Sequence, residues 1–210
     1  MAIVTKGVLV RPDAELLARL ARGPGARVFV SIPFADAEVA RALEPGAPTP
    51  DERLETVRQL AAAGVPTGIA LAPLIPHLSE VGLPALVERA AAAGARYAFH
   101  VLLRLPAEVL DVFRARLEEA LPLRAAAVFA ALREMRGGRL QESRFGERMR
   151  GRGVRFGVLE DLLLLACRRN GLRVAGDEGL GAPEDPRPVQ GSLFGDEPSP
   201  LGPHDGQALP

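Results

Sequence analysis

The only lysine of the chain, Lys6, stands directly after a short apolar run, Ile3-Val4-Thr5. Ser31 lies near the end of a second run, Val28-Phe29-Val30-Ser31-Ile32. A third run, Ile69 to Ala72, is expected to stop at Pro73, and Ala72-Pro73-Leu74-Ile75 leaves it; His100 lies within a fourth, Tyr97 to Leu103. In proteins built from βα units, sites form at the carboxyl ends of the strands. An ammonium there can pair with a ligand carboxylate, and a hydroxyl can donate to that carboxylate or to a sugar. Plainer readings stand beside these: a solvated terminal lysine, a satisfied strand serine, an ordinary strand exit and a core histidine. Glu44 and Arg53 flank the loop before the third run and are expected to pair and fix it, while His77 sits in the loop that follows. Cys167 lies in an apolar helix, where it packs as a small hydrophobe.

The elements that must position these residues are legible in part. Thr49-Pro50-Asp51-Glu52 is a capping box with proline at the first helical position. Leu54, Val57, Leu60 and Ala61 recur behind it at helical spacing, and Gly64 ends the helix. With the runs at Val28 and Ile69, this helix makes a strand–helix–strand unit, hence parallel pairing and a covered sheet. Ala61-Ala62-Ala63-Gly64 and Ala91-Ala92-Ala93-Gly94 occupy the same place in successive units, a weak α/β repeat. Asp13 is expected to cap a helix carrying Leu16, Leu17 and Leu20, and another helix is expected from Pro84 to Ala93. From Pro106 the pattern turns helical: a stripe of Val109, Leu110, Val112, Phe113 and Leu117, a helix from Pro122 to Met135 broken by Gly137-Gly138, and a last apolar helix from Val158 to Arg169. Residues 144–157 read as a Gly- and Arg-rich connection.

The expected fold class is therefore α/β, a partial parallel βα barrel. Residues 1–105 form the barrel portion, 106–172 a helical extension, and 173–210 an acidic, Pro- and Gly-rich disordered tail. Hydrophobic residues make up 48% of the chain but aromatics only 4%, so the core must be mostly Leu, Val and Ala. Formal charge is zero, so composition implies no global polyanion partner. No stretch is long enough to span a bilayer, the start lacks a signal-peptide pattern, and one cysteine rules out an internal disulfide. These features fit the cytoplasm.

An ordered series of short pieces carries a family resemblance: Phe29-Val30-Ser31-Ile32, Leu43-Glu44-Pro45, Pro48-Thr49-Pro50, Arg53-Leu54, Ala63-Gly64-Val65-Pro66 and Ala72-Pro73-Leu74-Ile75-Pro76. The series resembles the second half of a radical-SAM barrel, in the branch of spore photoproduct lyase, over roughly residues 3–172. The resemblance implies that Lys6 and Ser31 contact S-adenosylmethionine and that Ala72, Pro73, Leu74 and Ile75 pack on its adenine. It also implies a 4Fe-4S cluster, held by three thiolates of a C-x-x-x-C-x-x-C motif. The chain has no such motif and a single cysteine. The expectation is a C-terminal portion of a radical-SAM enzyme, inactive alone, whose N-terminal half lies upstream of Met1 or is supplied by another chain. Expressed alone, such a portion is expected to be poorly soluble or to dimerise, because its first strand offers an unpaired edge. The alternative is a cluster-free remnant that binds nucleic acid or a partner.

Two segments point outward. Between Arg133 and Arg155, Arg133, Arg136, Arg139, Arg144, Arg148, Arg150, Arg152 and Arg155 face only Glu134, Glu142 and Glu147. Arg139, Arg144, Arg148, Arg150 and Arg152 are candidate DNA-phosphate contacts. The alternative is a solvated arginine face balanced by the acidic tail. Within that tail, Gln190-Gly191-Ser192-Leu193-Phe194 resembles the peptide by which bacterial repair proteins dock on the DNA sliding clamp. There Leu193 and Phe194 would fill a pocket and Gln190 would bond at its rim.

Overall fold

A computed structural model describes residues 1–23, 25–138, 140 and 151–174. Five strands form one sheet: β1 (Ala2–Thr5), β2 (Arg27–Ser31), β3 (Thr67–Leu74), β4 (Tyr97–Leu102) and β5 (Arg173–Val174). They lie in sequence order, each parallel to the next. Seven α-helices are described: α1 (Ala14–Arg22), α2 (Ala37–Leu43), α3 (Pro50–Ala62), α4 (Leu83–Ala92), α5 (Ala107–Ala120), α6 (Pro122–Met135) and α7 (Gly153–Arg169). A 3-10 segment, Val8–Asp13, precedes α1. The strands follow sequence order with helices packed on one face and a cluster of strand residues on the other, the layering of a βα barrel. Among the described residues, β1 pairs on one side only, with β2.

Strand alternation divides the core accordingly. Val30, Ile69, Leu71, Ala98 and Leu102 join the main cluster with residues of α2 through α7, while Val28 packs against Leu17 of α1 and Leu60 of α3. The alternate residues, Phe29, Ala70, Tyr97 and Phe99, form a cluster of strand residues only, on the inner face. Phe29 meets Phe99 edge-on with centroids 5.0 Å apart, and the Arg27 guanidinium lies 4.7 Å from the Tyr97 ring centroid. Gly68 makes this possible: a Cβ there would come within 2.7 Å of the Phe29 ring.

The capping box forms as read, with Thr49 Oγ1 accepting from Glu52 N–H and Glu52 accepting from Thr49 N–H. Gly64 (φ 84°) and Gly94 (φ 97°) follow α3 and α4 in the left-handed region, the same place in successive units. α6 runs from Pro122 to Met135 as expected.

Other expectations need correction. β3 does not stop at Pro73 but runs through it to Leu74, with a cis Ala72–Pro73 peptide and a register shift against β4. The stretch before Thr49 contains α2, where Asp36 accepts from Glu38 and Val39 N–H. Asp13 occupies the N-cap of α1, but its side chain makes no capping bond. On α5 only Leu117 is buried, with Leu110 and Phe113 packed at the core margin, while Val109 and Val112 are exposed. α7 begins at Gly153, five residues before Val158. Arg173 and Val174 add a fifth strand where the tail was expected to start. No described helix is long and apolar enough to cross a membrane.

Candidate functional site

The carboxyl ends of β1, β2 and β3 bring three of the expected positions together. Thr5 pairs with Val30, and Ser31 with Ala70. Lys6 is therefore level with Ser31, and Ala72 follows two residues beyond Ser31's partner. Parallel register alone produces this alignment, because each strand enters the sheet at the same level.

Local bonds fix the loop that carries Lys6. Gly7 N–H donates to Thr5 Oγ1 at 3.0 Å. From the 3-10 segment, Arg11 Nε donates to the buried Thr56 hydroxyl at 2.9 Å, and Arg11 Nη2 donates to Glu52 O. Thr56 in turn donates to Glu52 O at 2.9 Å. The segment after β1 is thus pinned to α3.

Beneath Lys6 lies a buried ion pair. Arg53 is 1% exposed and spends its guanidinium on three acceptors: Pro48 O at 2.8 Å, Ser31 O at 2.9 Å and Glu44 Oε2 at 2.6 Å. The other Glu44 oxygen accepts from Lys6 Nζ. The expected pairing of Glu44 with Arg53 is present, and it reaches further than expected. One carboxylate links the only lysine to the arginine that holds the Ser31 backbone. Two cations and one carboxylate leave this group with one positive charge. Arg116 on α5 donates to Ala42 O at 2.7 Å, tying down the end of α2 from which Glu44 projects.

Ser31 is 4% exposed on the inner face, and its hydroxyl has no hydrogen-bond partner among the described residues. Beyond β3 the expected positions divide. Ala72 and Pro73 are half-buried, and Ala72 borders the inner face. Leu74 and Ile75 point into the main core. Leu74 O accepts from Leu103 N–H at 2.9 Å, and Ile75 N–H donates to the buried Ser79 hydroxyl at 2.8 Å. His77 adopts φ 67°, and its N–H donates to Glu80 Oε1 at 2.6 Å. The other Glu80 oxygen is buried without a partner among the described residues.

The remaining expected positions lie elsewhere. His100 is on the helix-covered face of β4, its ring 5.9 Å from that of Phe156 and its Nε2 3.6 Å from Glu160. Cys167 is buried in α7, and burial pushes its thiol up to about 11. In the arginine-rich segment, Arg136 is no surface residue: it is buried and donates to the carbonyls of Leu102 and Leu103. Arg155 pairs with Glu134 at 3.0 Å. Arg152 is exposed at the N-cap of α7. Arg139, Arg144, Arg148 and Arg150, the clamp-like Gln190, Leu193 and Phe194, and the tail from residue 175 lie outside the described residues.

Sequence reasoning singled out Lys6 and Ser31 as candidates and foresaw the Glu44–Arg53 pair, but missed the bond joining Lys6 to Glu44. It also missed the Arg11–Thr56 tether and the Ser79 turn, for which no local pattern exists. The Asp36 cap of α2 was detectable as Asp-x-Glu-Val at the start of an apolar spacing.

Structures of spore photoproduct lyase share this fold. A complex with dinucleoside spore photoproduct superposes with a TM-score of 0.59 at 22% identity, over 82% of this chain and 49% of that one. A double mutant with bound AdoMet and dinucleoside spore photoproduct gives 0.56 over the same shares. The fold resemblance expected from the sequence is therefore present. In sequence, the chain is 39% identical over 97 residues to the uncharacterised proteins Rv2578c of Mycobacterium tuberculosis and Mb2609c of Mycobacterium bovis. That match spans 45% of this chain but only 28% of each relative. No family model matches the chain.

Proposed function

We propose that this chain supplies the S-adenosylmethionine-binding side of a radical-SAM enzyme similar to spore photoproduct lyase, with a DNA lesion as substrate. One observation carries the reading. Lys6, directly after β1, and Ser31, at the end of β2, lie at the same level of the sheet and are linked through Glu44 and Arg53. The donor set suits an amino-acid nucleoside: an ammonium for the carboxylate, a hydroxyl without a partner among the described residues, and the half-buried Ala72–Pro73 edge beside them.

The same residues do not fit an iron–sulfur cluster. Among the described residues no three His, Cys, Asp or Glu side chains come together as a metal site, and the chain's one cysteine is buried on α7. The three thiolates must come from outside these 210 residues. In the intact enzyme the cluster would supply the electron for reductive cleavage. The part of this chain is to bind and orient the nucleoside: Lys6 by charge, Ser31 by its hydroxyl, and the Glu44–Arg53 pair by holding both strands in register.

Anaerobic reconstitution with iron and sulfide tests this division of labour. The chain alone should show no cluster absorption and no S-adenosylmethionine cleavage, and both should appear with a chain carrying C-x-x-x-C-x-x-C. A cluster on this chain alone would overturn the reading. For the DNA part of the proposal, exposed Arg152 and the arginines of residues 139–150 are the contacts to test. Binding to a duplex should weaken steeply with salt, and the absence of binding at low salt would count against it. Docking of Gln190, Leu193 and Phe194 on a sliding clamp is a separate proposal, tested with a peptide of residues 186–198.

A second reading, a cluster-free binding remnant, is favoured by the single cysteine. Cleavage activity gained on adding the thiolate-bearing chain would exclude it.

A further inference from the structure

Glu44 serves two cations of unequal freedom. Arg53 is buried and fixed by three acceptors, so the Glu44 carboxylate is fixed with it. Lys6 is the loose partner: its side chain is 43% exposed, against 13% for Glu44, and it sits on a flexible four-carbon stem. An exposed lysine–carboxylate contact is weak and easily exchanged, whereas a buried arginine–carboxylate pair is not. The group carries one surplus positive charge, and Lys6 is its solvent-exposed member.

We propose that Glu44 is a latch on Lys6, a positioning residue that a ligand carboxylate must displace. The inference rests on the cofactor reading above and extends it by naming what sets selectivity for the carboxylate. Without ligand, Lys6 is parked on Glu44. A ligand carboxylate takes the ammonium over, and Glu44 stays paired with Arg53, so no buried charge is left alone. The latch therefore lowers the affinity for carboxylate-bearing nucleosides, and it keeps Lys6 from stray anions when the site is empty.

Calorimetric titration of the chain with S-adenosylmethionine and with its decarboxylated analogue tests this directly, since the two differ only in the group Lys6 would hold. Glu44→Gln keeps an amide oxygen for Arg53 but removes the competing charge. It should tighten S-adenosylmethionine roughly three- to tenfold, by analogy with removing one close, partly solvated charge, without tightening the analogue. Lys6→Met should abolish the preference for S-adenosylmethionine over the analogue, and in the double variant the Glu44 effect should vanish. If Glu44→Gln weakens both ligands alike, or if Lys6→Met keeps the preference, Glu44 is merely structural and the latch is refuted. If the analogue binds but neither wild type nor any variant prefers the carboxylate, nucleoside binding survives while the latch falls together with the pairing of Lys6 with the carboxylate. If neither ligand binds wild type, both fall. Should Glu44→Gln fail to fold by circular dichroism, Lys6→Met and Lys6→Gln decide the matter, because both leave the Glu44–Arg53 pair intact.

Discussion

Replacing Arg53 by methionine should be among the costliest single changes in the chain. The side chain is 1% exposed, and its three hydrogen bonds join β2, the loop before α3 and the end of α2. Methionine keeps most of the apolar volume, so the loss is chiefly polar. The Glu44 carboxylate loses its buried counter-ion, and the carbonyls of Ser31 and Pro48 each lose a charged donor. Breaking a buried pair from one side costs about 3–5 kcal/mol. Glu44 retains Lys6, which is partly in water, so the lower half of that range applies. Against a typical domain stability of about 5–15 kcal/mol this is a large share. Lys6→Met removes only the exposed end of the same chain of charges and should cost less than about 1 kcal/mol. Urea unfolding followed by circular dichroism measures both. With a slope of about 1–3 kcal/mol/M, Arg53→Met should lower the midpoint by more than about 1 M, and Lys6→Met should barely move it. A loss below about 1 kcal/mol for Arg53→Met, or similar losses for the two variants, would refute the claim that the pair is buried and structural.

Other outcomes follow from single features. Gly94→Ala should cost more than Gly64→Ala: both residues have positive φ, but a Cβ at Gly94 would lie 2.6 Å from that of Ala61, and nothing lies within 4 Å of one at Gly64. Backbone strain alone costs about 1–2 kcal/mol, so the difference measured by unfolding isolates the clash. Glu52 has its pKa lowered below the usual 4.5 by the Thr49 N–H and then by the Thr49 hydroxyl. Its contribution is present above pH 4.5 and lost as pH falls through the lowered folded value, so the stability gap between wild type and Glu52→Gln should close with acidification. Cys167, with its thiol raised to about 11 from 9.0 by burial, should resist iodoacetamide in the native state and react once urea unfolds the chain. Equal rates in both states would contradict its burial. Its raised value also means that this site's contribution is intact below pH 9.0 and is lost as pH rises toward 11.

Local chemistry decided what the sequence revealed. The Thr49 capping box, Gly64 and the Pro122 helix start were legible because each satisfies its own backbone within a few residues. The Glu44–Arg53 pairing was legible because two opposite charges flanked one loop. β3 was read too short, since proline within an apolar run signals an end, yet here the strand continues through Pro73. The exposed Val109 and Val112 were read as a core stripe because spacing gives the period of a helix face and not its direction. Arg136 looked like part of a basic surface, and only the packing of α6 beside the end of β4 reveals that it serves two carbonyls. The Lys6–Glu44 contact spans 38 residues and joins the residue after β1 to the end of α2, which no local signal encodes.

Equilibrium binding of S-adenosylmethionine to the iron-free chain decides whether Lys6 and Ser31 hold the nucleoside. Saturable binding of one molecule per chain is expected, weakened by both Lys6→Met and Ser31→Ala and unaffected by His100→Gln on the opposite face of the sheet. Absence of saturable binding, or binding indifferent to both Lys6 and Ser31, would contradict that role.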